Sequence, residues 1–268
     1  MKFTNLTTLI LISSLTAACG GGGDGDSTTS GTNLSIPANA VVITEVNAEA
    51  IATSAVGTLQ STSAFFTAAE TTTLPPVQNA INLISGIAFN KNKQASNIVS
   101  GISDSGICTD GGSWSDTWTE TATSASGTAT LNNCNEGGFI LDGSFSYSDT
   151  WNNNTGAYTS TGNGTLTMTF GGESFTFKLN TTDNGNDWDG SFSLTLNFSI
   201  SGASIGYLVE TTSPLTGYYG TPTAGQIMVS GGSSTRLLIT LLNSSQAKVE
   251  LDNGNGSFVE IIASPITF

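Results

Sequence analysis

The stretch "TLTMTFGGESFTFKL" at 165–179 shows the pattern that governs most of the chain. Large apolar residues alternate with Thr, Ser or a charged residue on both sides of a Gly-Gly turn, and this period of two is that of half-buried antiparallel strands. The same alternation recurs in "SFSLTLNFSI" (191–200), "RLLITL" (236–241) and "AKVEL" (247–251). Short Gly-rich turns leave no room for crossover helices, so neighbouring strands are predicted to pair as an up-and-down meander.

The N-terminal part of the β-rich domain, which is expected to occupy 41–268, has a helical period instead. Thr44 is predicted to cap a helix over "EVNAEAIATSAVGTL", and apolar residues after Pro75-Pro76 recur at i, i+4 and i+7. Helices are therefore expected within about 44–97, where each apolar stripe needs a surface to cover.

The strands are expected to form two groups. A first sheet is predicted over about 112–211 and a C-terminal set of strands over about 226–263, with a break around Pro214 and Pro222. The expected fold class is mainly β (α+β). It is an antiparallel up-and-down meander, or a curved sheet or half-barrel, packed on one or two N-terminal helices.

The first residues have the features of an exported lipoprotein. Residues 1–18 contain Lys2 and a short apolar run, as a secretory signal peptide does, and they are too short and too rich in Ser and Thr to span a bilayer stably. "LTAAC" resembles a bacterial lipobox, which implies acylation of Cys19 with chains such as palmitate. Gly20, where an Asp favours inner-membrane retention, implies export to the outer membrane. An ordinary signal peptide with an incidental Cys is the alternative.

The composition of the chain predicts a flexible tether and limits the partners that the protein can bind. Residues 19–40 have too little apolar surface to pack and are expected to form a flexible tether. Six Lys and Arg against twenty Asp and Glu give a net charge of −14, which argues against binding to nucleic acid.

Two cysteines remain besides Cys19, and they are predicted to form a disulfide, Cys108–Cys134, in an oxidising compartment. A metal site at these cysteines would need more ligands, and the chain has no histidine. The same lack excludes Ser-His-Asp and Cys-His catalysis within this chain. No cofactor, metal or enzymatic activity is expected.

Acidic segments suggest two further chemistries. Carboxylates such as Asp142, Asp149 and Asp183 could in principle pair as in a glycosidase, but any acidic β protein offers such a set. "DNGNDWDG" (183–190) and "DNGNGSFVE" (252–260) resemble calcium loops without meeting the ligand spacing of one. Hairpin turns are the preferred interpretation of both.

Ser-Asp-Thr-Trp occurs twice, at 115–118 and 148–151. Residues two apart in a strand share a face, so each copy is expected to present an aromatic, a carboxylate and a second aromatic together. The two triplets are Trp114, Asp116, Trp118 and Tyr147, Asp149, Trp151. The preferred interpretation is one packed strand pattern used twice. The alternative is a binding surface on which sugar rings stack.

The order of these features resembles that of a group of uncharacterised proteobacterial outer-membrane lipoproteins. The resemblance is carried by the lipobox and Gly run, by "ITEVNAEAIA" after the tether, and by "CTDGG" and "LNNCNEGG" around the two cysteines. It implies a location at the outer membrane, facing the periplasm or the cell surface. It implies an architecture but no activity.

The sequence is compatible with three functions. The first is a non-enzymatic structural or interaction module on a tether, and the second is a half-barrel carrier of an apolar ligand or lipid. The third is a glycan-binding surface protein. The expected partners are the membrane, through the anchor, and a glycan, lipid or envelope protein. A carrier needs an apolar cavity rather than a filled core, which separates the first two functions.

Overall fold

The computed structural model describes residues 34–63, 99–136, 139–203, 205–261 and 264–267. They form one α-helix, α1 (Glu45–Ser63), and thirteen β-strands. The strands are β1 (Val99–Ile107), β2 (Ser113–Glu120), β3 (Ser124–Glu136), β4 (Phe139–Trp151), β5 (Ala157–Phe170), β6 (Glu173–Asn186), β7 (Ser191–Gly202), β8 (Gly206–Tyr218), β9 (Thr221–Ser230), β10 (Arg236–Asn243), β11 (Gln246–Asp252), β12 (Val259–Glu260) and β13 (Ile266–Thr267).

All of these strands belong to a single antiparallel sheet. From β1 to β12 each strand pairs with the next strand in sequence, and β13 pairs with the start of β11. The sheet is not closed into a barrel. The predicted mainly β fold and its up-and-down strand order are therefore confirmed.

The helix α1 covers the C-terminal strands of the sheet. The Asn47 Oδ1 atom accepts the backbone N–H of Thr44 at 2.7 Å, and the Thr44 carbonyl accepts the N–H of Ala48 at 2.9 Å, which confirms Thr44 as the N-cap. One stripe of the helix is buried and packs near β9, β10 and β11: Ala48, Ile51, Ala52, Ala55 and Val56. The second predicted helix, after Pro75-Pro76, lies outside the described residues.

Apolar side chains fill the inward face of the sheet. In β7 the alternation read from the sequence is also the alternation of burial, because Phe192, Leu194, Leu196, Phe198 and Ile200 are all buried. The Phe198 ring centroid lies 5.4 Å from that of Phe177 and 6.4 Å from that of Tyr207. The core formed in this way is continuous with the buried stripe of α1.

The sheet starts earlier than predicted. The strand β1, "VSGISDSGI", lies before the expected start near 112 and pairs with β2 along most of its length. It has few large apolar residues because it ends the sheet and has little core to cover. A search for alternating apolar residues therefore passes over it.

The expected break around Pro214 is not a gap between two sheets. The strand β8 runs through Pro214 and pairs with β9 on the far side of a two-residue turn. Proline has no backbone N–H for the ladder, and the register between β8 and β9 shifts three times between Thr211 and Gly217. The predicted boundary is thus a bulged region within one sheet.

The predicted disulfide between Cys108 and Cys134 is confirmed. Cys108 lies in the loop between β1 and β2, and Cys134 lies near the C-terminal end of β3. Both cysteines are buried in the core. The cysteines are 26 residues apart, and a loop of this length corresponds to roughly 3–4 kcal/mol of stabilisation in the loop-entropy description.

Glycines on the inward face make room for aromatic rings from the adjacent strands. A methyl group at Gly162 would lie 2.3 Å from Cζ of Phe145. One at Gly127 would lie 2.6 Å from the Tyr147 hydroxyl oxygen, and one at Gly185 would lie 2.5 Å from that of Tyr158. Each ring therefore lies across the backbone of a neighbouring strand, an arrangement that a larger residue would block.

Candidate functional site

The six residues of the two aromatic–carboxylate triplets lie on the inward face of β2 and β4. Asp116 and Tyr147 are buried, with 0% and 5% of their surfaces exposed. The other four, Trp114, Trp118, Asp149 and Trp151, are half-buried. Each triplet shares one face of its strand, and that face is the packed one. The six residues do not form an exposed platform.

The two Ser-Asp-Thr-Trp copies are offset in the sheet. Across β3, Asp116 aligns with Phe145, and Trp118 aligns with Tyr147. Asp149 instead aligns with Glu120, so the second copy is displaced by four residues along the strand direction. Because equivalent residues are not neighbours, the repeat does not build one site twice.

The carboxylate of Asp116 is satisfied by the tyrosine from β4. The Tyr147 hydroxyl lies 3.2 Å and 3.1 Å from the two carboxylate oxygens and donates its proton to them. Burial raises the pKa of Tyr147 well above its ordinary value, and the nearby Asp116 charge adds to this effect. The phenol therefore remains a hydrogen-bond donor, and the pair stabilises the junction of β2, β3 and β4.

A second tyrosine–carboxylate pair joins β5 and β6. The Tyr158 hydroxyl donates to Oδ2 of Asp183 at 2.9 Å, and Asp183 is only 1% exposed. Burial raises the pKa of Asp183 to about 6, although the bonds from Tyr158 and from the Ser193 backbone N–H act in the opposite direction. Among the described residues, Oδ1 of Asp183 has no partner with normal hydrogen-bond geometry. The Asp183 carboxylate is thus incompletely solvated.

Sequence reasoning missed this second pair. It treats Asp183 as one of several acidic residues and as the start of an Asn-rich loop, whereas the structure places it inside β6. The pairing depends on the register that puts Tyr158 opposite Gly185, two residues from Asp183. A glycine opposite an aromatic residue is the one local signal that could have indicated it. Both carboxylates and Tyr147 are buried and Tyr158 is half-buried, so the arrangement of the two pairs supports packing rather than chemistry on a bound molecule.

The loop that follows β11 has the form of a capped turn. Oδ1 of Asp252 accepts the backbone N–H groups of Gly254, Asn255 and Gly256, at 2.9–3.0 Å. Its Oδ2 accepts two bonds from the Arg236 guanidinium, at 2.6 and 3.1 Å. The Arg236 guanidinium holds the pKa of Asp252 below its ordinary value. The carboxylate is therefore used within the turn, as the hairpin interpretation of 252–260 requires.

The opposite side of β2 to β7 carries rows of small polar residues. One row crosses the six strands as Thr117, Thr128, Ser146, Asn163, Asn180 and Asn197. The adjacent row is Thr119, Ser126, Ser148, Thr161, Thr182 and Thr195. Neither row contains a charged or large apolar residue. We call these two rows the outer polar face.

No helix among the described residues has both the length and the hydropathy needed to cross a membrane. A scan against protein-family models and searches of curated proteins and solved structures give no match for this chain. The assignment of a function therefore depends on two geometric features, the packed inward face and the outer polar face.

Proposed function

We propose that this protein is a non-enzymatic envelope lipoprotein that acts as an interaction module through its outer polar face. The "LTAAC" segment and the Gly run support an acylated Cys19 as the anchor at the outer membrane. The residues between Cys19 and Asn39 then serve as the tether, because the Asn39 side chain already donates to the Gly202 carbonyl at the end of β7. The sheet presents its polar side to another envelope component.

The observation that carries this proposal is the uncharged composition of the outer polar face. Its Thr, Ser and Asn side chains repeat at the spacing of strands, about 4.8 Å, and offer donors and acceptors in register. Thr has few rotamers in a strand, so little side-chain entropy is lost when a partner binds. Such a face favours an extended polar partner bound by hydrogen bonds rather than by charge.

A carrier function and an enzymatic function both have less support from the packing. A carrier of an apolar ligand needs a cavity, whereas Phe145, Phe177 and Phe198 are packed on the inward face with at most 5% of their surfaces exposed. A ligand would have to displace these rings. An enzyme needs reactive groups that a substrate can reach, and the carboxylates of the two tyrosine–carboxylate pairs, Asp116 and Asp183, are buried.

Photo-crosslinking from the outer polar face tests the proposed interaction. A photoreactive amino acid at Thr161, near the centre of the face, is expected to give a discrete crosslinked product in intact cells. The matched control is Thr240, which points outward from β10 and is half-buried like Thr161. The same reagent at Thr240 is expected to give little product, because it lies outside the outer polar face.

Equal products from both positions would show that crosslinking reflects diffusion rather than binding. The absence of a product from Thr161 and from its neighbour Thr182 would overturn the proposed role of the face. Lipids recovered with the purified protein by native mass spectrometry would favour the carrier function instead.

Replacement of Cys19 by Ser tests the anchor separately. The full-length protein is expected to incorporate labelled palmitate and to fractionate with the outer membrane, whereas Cys19→Ser is expected to lose both properties because serine cannot form the thioether to the diacylglycerol group. Mass spectrometry of the mature N-terminus provides the check. A mature N-terminus that begins after residue 19 without acyl chains would contradict the anchor.

A further inference from the structure

Three turns meet at one end of the sheet, where β4, β6 and β8 end. They are 152–156, 187–190 and 219–220. The backbone N–H of Asp187 donates to the Gly156 carbonyl at 2.8 Å, and the backbone N–H of Tyr219 donates to the Gly190 carbonyl at 2.8 Å. The Asn186 side chain adds a bond to the Thr155 carbonyl at 3.0 Å. These bonds fix the three turns relative to one another before any ligand is bound.

The joined turns carry an unusual concentration of exposed aromatic rings. Trp188, Tyr218 and Tyr219 are 67%, 60% and 70% exposed. Within the part of the chain that the structure describes, every other aromatic side chain is buried or half-buried. Among the described residues, exposed aromatic rings are therefore confined to this end of the sheet. We call them the aromatic turn cluster.

Two of these rings are held in place by glycines. A methyl group at Gly190 would lie 2.4–2.8 Å from three atoms of the Tyr219 ring. One at Gly156 would lie 2.6 Å from Cγ of Trp188. Each ring thus lies against backbone on one side while most of its surface faces solvent. Rings supported in this way are preorganised to stack on a ligand.

The backbone of Tyr219 gives an independent indication of function. Tyr218 pairs with Thr221, so Tyr219 and Gly220 form a two-residue hairpin turn, and their φ angles are 50° and 75°. Turns with two positive φ angles favour Asn-Gly or Asp-Gly. A tyrosine in the first of these positions is unfavourable for folding, and its exposed ring adds little packing. A ring kept there against the preference of the turn indicates a binding role.

The surrounding polar groups select the class of ligand. The three turns and their flanks read "NNNTG", "NDWDG" and "YYGT" and contain no Lys or Arg, so nothing there neutralises an anion. Amide, hydroxyl and carboxylate groups around aromatic rings match a molecule with apolar C–H faces and many hydroxyl groups. We propose that the aromatic turn cluster, with Trp188 and Tyr219 as its stacking rings, binds a neutral saccharide. This site is separate from the outer polar face and does not depend on its role.

Binding to neutral oligosaccharides tests this proposal. The mature protein is purified in a detergent without a sugar head group and titrated with oligomers of glucose, N-acetylglucosamine, xylose, mannose and galactose. At least one oligomer is expected to bind and to shift the emission of the exposed Trp188 to shorter wavelength. Trp188→Ala and Tyr219→Asn are each expected to weaken binding by about tenfold or more.

Tyr219→Asn separates binding from folding. It removes the ring and supplies a residue that the turn prefers, so its melting temperature is expected to stay the same or to rise while binding is lost. Leu242→Ala, at an exposed apolar residue in β10, is the control and is expected to bind normally. Unchanged binding in both ring variants, the absence of binding to every oligomer, or a preference for anionic heparin would each overturn the proposal.

Discussion

Replacement of Phe145 by Ala is expected to lower the free energy of unfolding by about 3–5 kcal/mol. Phe145 is only 2% exposed, its strand lies in the middle of the β2–β7 region, and its ring extends over Gly162 on β5. Its removal takes a large apolar surface from the core and leaves a cavity that the fixed strands cannot close. Urea denaturation followed by fluorescence or circular dichroism provides the measurement.

A double-mutant cycle tests whether the glycine beneath the ring is part of the same unit. Gly162→Ala places a methyl group 2.3 Å from the Phe145 ring and is expected to cost about 1–3 kcal/mol. Phe145→Leu shortens the side chain and relieves this overlap, so the double variant is expected to be more stable than the sum of the two changes predicts. Asn163→Ala, on the opposite face, is the control and is expected to stay within about 0.5 kcal/mol. Additive effects in the cycle would contradict the proposed glycine–aromatic packing.

The features that the sequence predicts well are those encoded by neighbours in the chain. The alternation in 191–200 is visible without any partner strand, and the structure buries the apolar residues of that segment. The helix cap at Thr44 is likewise predicted from neighbouring residues, and the disulfide is predicted from the number of cysteines that remain besides Cys19. These features fix the strand faces, the start of the helix and the disulfide.

Register could not be predicted, because it depends on residues that are distant in sequence. The offset of the two Ser-Asp-Thr-Trp copies follows from turn lengths and from a bulge between Leu131 and Cys134 in β3. The contact of Tyr158 with Asp183 follows from the pairing of β5 with β6. The candidate sites depend on such pairings, so the sequence indicated residue types and faces but not which residues meet.

The aromatic turn cluster could not be predicted from the sequence either. "TGYYGT" reads as a turn, and nothing in it shows that Tyr219 occupies a left-handed position or lies against Gly190. That contact joins residues from two different hairpins. It becomes visible only when β6 to β9 are placed side by side.

The buried Asp183 is expected to contribute less to stability at neutral pH than at mildly acidic pH. This contribution is measured as the difference in the free energy of unfolding between the wild type and a variant without this carboxyl group. Its pKa is raised from an ordinary value of 3.8 to about 6 in the folded protein, so folding favours the protonated form. The stability that protonated Asp183 contributes is fully present below pH of about 4, and it is lost as the pH rises through about 6. The difference corresponds to about 3 kcal/mol.

Denaturation of the wild type and of Asp183→Asn from pH 4 to pH 7.5 isolates this contribution, because every other titrating group is common to both proteins. The stability of the wild type relative to Asp183→Asn is expected to fall by about 2–2.5 kcal/mol across this interval, because a small part of the total difference is already lost at pH 4. Tyr158→Phe removes a hydrogen bond that favours the ionised carboxylate, so it is expected to move the fall to higher pH. Parallel curves for the wild type and Asp183→Asn would mean that Asp183 titrates as it does in the unfolded chain, and that water or another donor satisfies its second oxygen.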